Sequence, residues 1–134
     1  MRSVYAFPRL APDEAEAVLG EAGERQELAP DLGAEWVIDG CLYARIERDG
    51  ARLWDDWSEK EVDRLDRQLG GLPAWGLVID VSGHVDGGLE VTRLLRRLLE
   101  PGGVALDDYS EHAWTLAEID SGTTSESRRF LHPA

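Results

Sequence analysis

A chain of 134 residues is one domain's worth of sequence, and folding would bury roughly two thirds of the surface it exposes when unfolded, so a core needs no disulfide or metal staple. Hydrophobic residues at 43% and charged residues at 31% argue against wholesale disorder. The 27 acidic against 14 basic residues leave a net charge of −13, which repels phosphate backbones and anionic membranes, disfavours direct nucleic-acid binding and attracts basic partners.

The excess of acid lies toward the two ends: residues 1–35 carry 8 acids and 3 bases, and residues 100–134 carry 7 and 2. Cys41 is the one cysteine, so no internal disulfide can form, which fits a reducing cytoplasm. The first residues, "MRSVYAFPRLAPDE", hold no apolar run of signal-peptide length, and no 18 consecutive apolar residues occur. A cytoplasmic protein outside the membrane is the expectation. Enrichment in alanine, glycine, leucine and arginine points to a GC-rich bacterial coding sequence.

In chain order, "SVYAF" at 3–7 reads as a strand. Pro12 suits the first position of a helix, with Asp13 and Glu14 against its N-terminal dipole and Gly23 as its stop. A loop with Pro30 and Gly33 follows. In "CLYARIERDGARLW" the pair Asp49-Gly50 predicts a two-residue hairpin, with Ile46 opposite Leu53 and Arg45 opposite Trp54. Leu42, Ala44, Ile46 and Leu53 then face the core, and Tyr43, Arg45 and Trp54 the other side.

Ser58 with Glu61 three residues on makes a capping box, and Trp57 can staple onto Val62. The helix that follows ends at Gly70-Gly71. "GLVIDV" reads as a strand buried on both faces. Val91, Leu94, Leu95, Leu98 and Leu99 form a helical stripe before Pro101, and "VAL" at 104–106 is strand-like. Strand, helix and strand predict a βαβ unit with neighbouring parallel strands. Thr115 and Glu118 repeat the capping box for a short helix from 116 toward Asp120. The predicted fold is α/β of the mixed α+β kind: a small single-domain sheet with a β-hairpin, a βαβ unit and two to four helices. It spans residues 1–120, with a flexible tail at 121–134.

Two chemistries compete in this frame. Asp80, Asp107, Asp108 and His112, at the carboxyl edge of a parallel pair, could form an oxygen-rich cation site serving a cation-dependent enzyme or small-ligand binder. None of their spacings is a ligand motif, and aspartates at strand ends commonly cap turns. The turn "VSGHVDGG" outlines a phosphate cradle but matches no Gly-rich fingerprint and puts Asp86 where an anion would sit. Ser82, Ser110, His84 and His112 are the parts of a triad without a nucleophile elbow. No catalytic residue, cofactor or metal is assigned.

The second chemistry is protein binding. The chain has five tryptophans; Trp36, Trp57 and Trp75 read as packing, whereas Trp54 beside Asp55 and Asp56, and Trp114 after Asp107, Asp108 and Glu111, suit either packing or a partner contact. With "WGLVIDVSG" and "DDYSEHAW" in an acidic α/β chain, residues 36–119 resemble the small acidic immunity proteins of bacterial polymorphic and contact-dependent toxin systems. The resemblance implies a protein without catalysis that binds and neutralises a cognate toxin domain with a basic surface. On that reading Asp55, Asp56, Asp107, Asp108 and Glu111 supply the field, and Trp54, Tyr109 and Trp114 the anchors. It leaves the toxin's identity and the oligomeric state open.

Overall fold

Side-chain alternation in the first strand sets the layering. In β1 (Arg2–Pro8), Val4 and Ala6 are fully buried on one side, while Tyr5 and Phe7 turn to the other and join a separate apolar cluster. The structure, a computed structural model, describes residues 2–28, 33–108, 111–122 and 129–131. Helix α1 (Pro12–Ala22) starts where Pro12 predicts, with the Glu14 carboxylate accepting the Ala11 N–H at 2.9 Å and with Ala15 and Leu19 buried. Strand β2 (Glu24–Glu27) lies in what reads as loop. All four of its residues are polar and exposed, so no apolar alternation announces it. It exists by pairing with β3 (Ala34–Ile38) at the sheet edge.

The hairpin forms at Asp39-Gly40, one of two further Asp-Gly pairs in the chain. Asp39 (φ 54°) and Gly40 (φ 68°) both adopt the left-handed backbone that a tight turn requires, joining β3 to β4 (Leu42–Glu47). Asp49 is extended instead, at φ −103°, and its carboxylate accepts the Ala51 N–H at 3.1 Å to cap the short helix α2 (Gly50–Leu53). The expected pairing of Ile46 with Leu53 and Arg45 with Trp54 is therefore replaced. Gly50 is required for a different reason: a Cβ there would stand 2.5 Å from the Pro73 carbonyl oxygen, across the contact in which the Gly50 N–H donates to Ala74 O at 2.8 Å.

Helix α3 (Glu59–Leu69) has the capping box read from Ser58 and Glu61, each accepting from the other's N–H at 3.2 Å, and it closes on a left-handed Gly70. Strand β5 (Gly76–Val81) buries Leu77, Ile79 and Val81 completely, but Val78 and Asp80 on its other side are only half-buried. Helix α4 (Gly88–Leu98) buries the predicted leucine stripe, and β6 (Gly103–Leu106) follows. β5 and β6 are both antiparallel to β1, hence parallel to each other, but β1 lies between them. The βαβ unit is thus split, and the two strands are not neighbours.

The result is a mixed α+β domain: a six-stranded antiparallel sheet ordered β2-β3-β4-β5-β1-β6, with five helices among the described residues. The fifth, α5 (Leu116–Ser121), carries the Thr115–Glu118 box. Helices α1, α4 and α5 cover the first face over the main core. On the second face α2 and α3 cover only the part around Phe7, Leu53, Leu65 and Leu106. Residues 129–131 do not stand off as tail. Phe130 and Leu131 are buried in the main core, which the Ser/Thr-rich composition before them conceals. No helix among the described residues is long and apolar enough to cross a membrane.

Candidate protein-binding surface

The stretch "DDYSEH" divides at its first two residues. Asp107 is buried, 7% exposed, and accepts the Leu131 N–H at 2.7 Å within the main core. Asp108 is exposed and accepts the Ser3 N–H at 2.7 Å, continuing the β1–β6 register where Tyr5 faces Leu106. Strand alternation sends the two carboxylates to different partners, so they do not form one acidic unit. Tyr109 and Ser110 lie outside the described residues.

The residues after them are built into the scaffold. Trp114 is 0% exposed; its backbone bridges Ala105 on β6 with two 2.8 Å hydrogen bonds, and its ring meets His112 and Phe130 edge-on. An anchor for a partner must be reachable, and this indole is not. The Gln68 side chain clamps the segment, donating to Glu111 O at 2.7 Å and accepting from the Ala113 N–H at 2.8 Å. The exposed Glu111 carboxylate pairs with Arg64 of α3.

His112 pairs with Glu118 at 3.0 Å, and Glu118 also accepts the Thr115 N–H at 2.9 Å. Burial alone would raise the Glu118 carboxyl, but the Thr115 N–H, His112 and the Thr115 hydroxyl together hold it below the usual range. A lowered folded value means the stabilisation is present above the unfolded carboxyl's range and is lost as pH falls through that range toward the folded value. Glu118→Gln should therefore destabilise the protein at neutral pH, with the gap closing on acidification below about pH 4. Urea unfolding of both proteins at pH 7 and pH 3 measures it; a gap that widens in acid would contradict this role.

The cation grouping does not form. Asp80 accepts the Ser3 hydroxyl at 2.6 Å, Asp107 holds Leu131, Asp108 holds Ser3 and His112 holds Glu118. Among the described residues no three or more His, Cys, Asp or Glu side chains are arranged to hold a metal ion. Of the triad parts, Ser110 lies outside the described residues, and the contact between His84 and Ser82 is the His84 backbone N–H donating to the Ser82 hydroxyl at 3.4 Å. At the start of α4 the Asp86 carboxylate accepts the Gly88 N–H at 3.4 Å, and Arg2 of β1 donates to the Val85 and Asp86 carbonyls, so these groups of the turn are partnered within the fold. Cys41 is buried in the turn before β4, and burial first, then Glu90 and Asp39, pushes its thiol up, away from the reactive thiolate.

What remains accessible is the corner between α2 and α3. Trp54 and Trp57 are half-buried and meet edge-on at 5.3 Å; Trp54 leans on Phe7 at 5.7 Å and Trp57 meets Tyr5 at 5.2 Å. Asp55 and Asp56, both exposed, sit on the turn between the two indoles. The sheet fixes the rings, and the rings fix the turn that presents the carboxylates. In the sequence Trp54, Asp55 and Asp56 stand out as an aromatic beside charge, whereas Trp57 reads as packing. The alternation of β1, which puts Tyr5 and Phe7 on one side, is the signal that joins Trp57 to the same surface. Compared with known proteins, the chain matches no family profile, no curated protein and no solved structure.

Proposed function

We propose that the protein is a binding module that neutralises a basic toxin domain, in the manner of the small acidic immunity proteins, and that the α2–α3 corner is its docking surface. The observation that carries this is the placement of two exposed carboxylates, Asp55 and Asp56, between two ordered, half-buried indoles. Rigid aromatics give contact area at little entropic cost, and a net charge of −13 steers a basic partner to them. The exposed carboxylates of Asp108 and Glu111 extend the negative surface, while Asp107 and Trp114 support it from within the fold.

The test is to express the product of the adjacent reading frame with and without this protein. The reading expects a harmful basic domain whose toxicity is relieved by co-expression, and a complex on gel filtration that weakens as salt rises. A harmless neighbour together with the absence of any basic partner in pull-downs from the native host would end it.

A further inference from the structure

The outer edge of β6 is covered only in part, and the register shows which backbone groups that leaves. Ala105 gives both its N–H and its C=O to Trp114, at 2.8 Å each, so these groups point away from β1. Nearby, the Arg9 N–H donates to Gly102 O at 3.0 Å, which makes Arg9 and Gly102 a hydrogen-bonded pair across the two strands. Inward and outward pairs alternate along an antiparallel ladder, so the N–H and C=O of Gly103 face outward as those of Ala105 do. If the chain stayed extended past Trp114, Leu116 would pair with them. Thr115 instead caps α5 and turns the chain away, and no other described residue takes its place on that edge. A side chain cannot cover it either, because a Cβ on Gly103 would stand 2.3 Å from Phe7 O.

Where α5 leaves β6 an open cleft of about 880 Å³ forms with Gly103 in its wall, a volume in the range of small-ligand sites. Its geometry limits what can pair there. A residue opposite Gly103 stands where Leu116 would have stood, and the place before it along that line is Thr115's own, so the occupant's chain begins at that residue. It then runs antiparallel to β6, and its second residue falls beside Gly102. Successive side chains of a strand point to opposite faces of the sheet. The first therefore meets Leu99 and Leu116 on the main-core side, and the second meets Leu69 and Val104 on the other. Both walls are apolar. The carboxyl end arrives at Arg9, whose stem crosses Gly102: a Cβ there would stand 2.9 Å from Arg9 Cδ. Among the described residues the Arg9 guanidinium takes part in no ion pair or hydrogen bond.

We propose that this cleft binds a free dipeptide of two apolar residues. Its ammonium donates to Gly103 O, its peptide carbonyl accepts the Gly103 N–H, and its terminal carboxylate takes Arg9. The main chain thus repeats at Gly103 what Trp114 does at Ala105, and the charge at its end matches the guanidinium. A zwitterion has no net charge, so the −13 of the chain does not repel it. The inference does not rest on the proposed function, because Asp55 and Asp56 have no part in this cleft.

The full chain is titrated with leucyl-leucine and followed by two-dimensional NMR, with the C-terminal amide and the N-acetyl derivative beside it. Saturable shifts of the Gly103 and Ala117 amides and the Trp75 indole N–H are expected, with a Kd of about 1 mM or below. The amide should bind about 2- to 5-fold more weakly, the range of an exposed charge pair, and Arg9→Gln should erase that difference. The N-acetyl derivative should not bind, because its acetyl group meets Thr115. Ala117 lines the cleft from an exposed position on α5, so Ala117→Trp fills the space without touching the core; it should abolish binding and leave the urea midpoint in place. Shifts that still rise linearly past that concentration, or equal binding of all three compounds, would overturn the proposal. So would binding that survives Ala117→Trp in a folded protein. Asp55→Arg with Asp56→Arg should leave leucyl-leucine binding unchanged, which separates this site from the α2–α3 corner.

Discussion

Trp114→Ala should cost about 3–5 kcal/mol of stability, a large share of the roughly 5–15 kcal/mol by which a domain is stable. The indole is fully buried and packs on His112 and Phe130. Truncation to alanine removes its transfer free energy and leaves a cavity that the neighbours cannot readily close, because Gln68 and the bridge to Ala105 hold the segment's backbone. Trp114→Phe should lose less, since it keeps a ring in the site. Chemical denaturation of the three proteins measures the series. A Trp114→Ala protein of unchanged midpoint that binds its partner poorly would make Trp114 a contact residue after all.

The second large effect is on association. Asp55→Arg with Asp56→Arg moves the net charge from −13 to −9 at one place on the surface. Neither carboxylate takes part in a hydrogen bond or ion pair among the described residues, so stability should change by no more than about 0.5 kcal/mol. The association rate with a basic partner should fall about 10-fold or more at low salt, part of the 10- to 1,000-fold that steering supplies. The difference should shrink at physiological salt, where charges farther apart than about 8 Å are screened. Glu24→Arg with Glu100→Arg is the control, because it makes the same change in net charge at other exposed sites. Stopped-flow or surface-based kinetics reads both. An equal slowing by the control would assign the effect to total charge and not to the α2–α3 corner.

The elements that were legible carried their own signals. Ser58 and Glu61 announced α3, Thr115 and Glu118 announced α5, and the spacing of Val91, Leu94, Leu95 and Leu98 announced α4. These are local devices, readable within one turn of helix. The errors all concern what a distant segment does. Asp39-Gly40 and Asp49-Gly50 both flank β4; the first makes the hairpin, while Gly50 packs closely against Pro73, a contact across 23 positions that no local pattern encodes. β2 has no apolar residue to declare it and is defined by its neighbour β3. At the α2–α3 corner, Trp54 and the two aspartates stand in the sequence as an aromatic beside charge. The burial of Trp114 was not, because it depends on Ala105 and on Phe130 near the other end of the chain. Asp107 and Asp108 read as a pair until the register of β6 gave them separate partners.

The position of β1 between β5 and β6 has a consequence for how the chain is made. β1 is synthesised well before its partners, which pair Ser3 with Asp80 and Tyr5 with Leu106. At about 5–20 residues per second, Val4, Tyr5, Ala6 and Phe7 wait roughly 4 to 15 s for β5 to leave the ribosome. During that wait an apolar strand with two open edges is a template for other nascent chains. Pro8, which ends it, and the cluster of Asp13, Glu14 and Glu16 just beyond are the residue types that discourage such pairing. The acidic residues that follow β1 thus have a use that precedes folding: like charge between neighbouring nascent chains opposes edge-to-edge pairing.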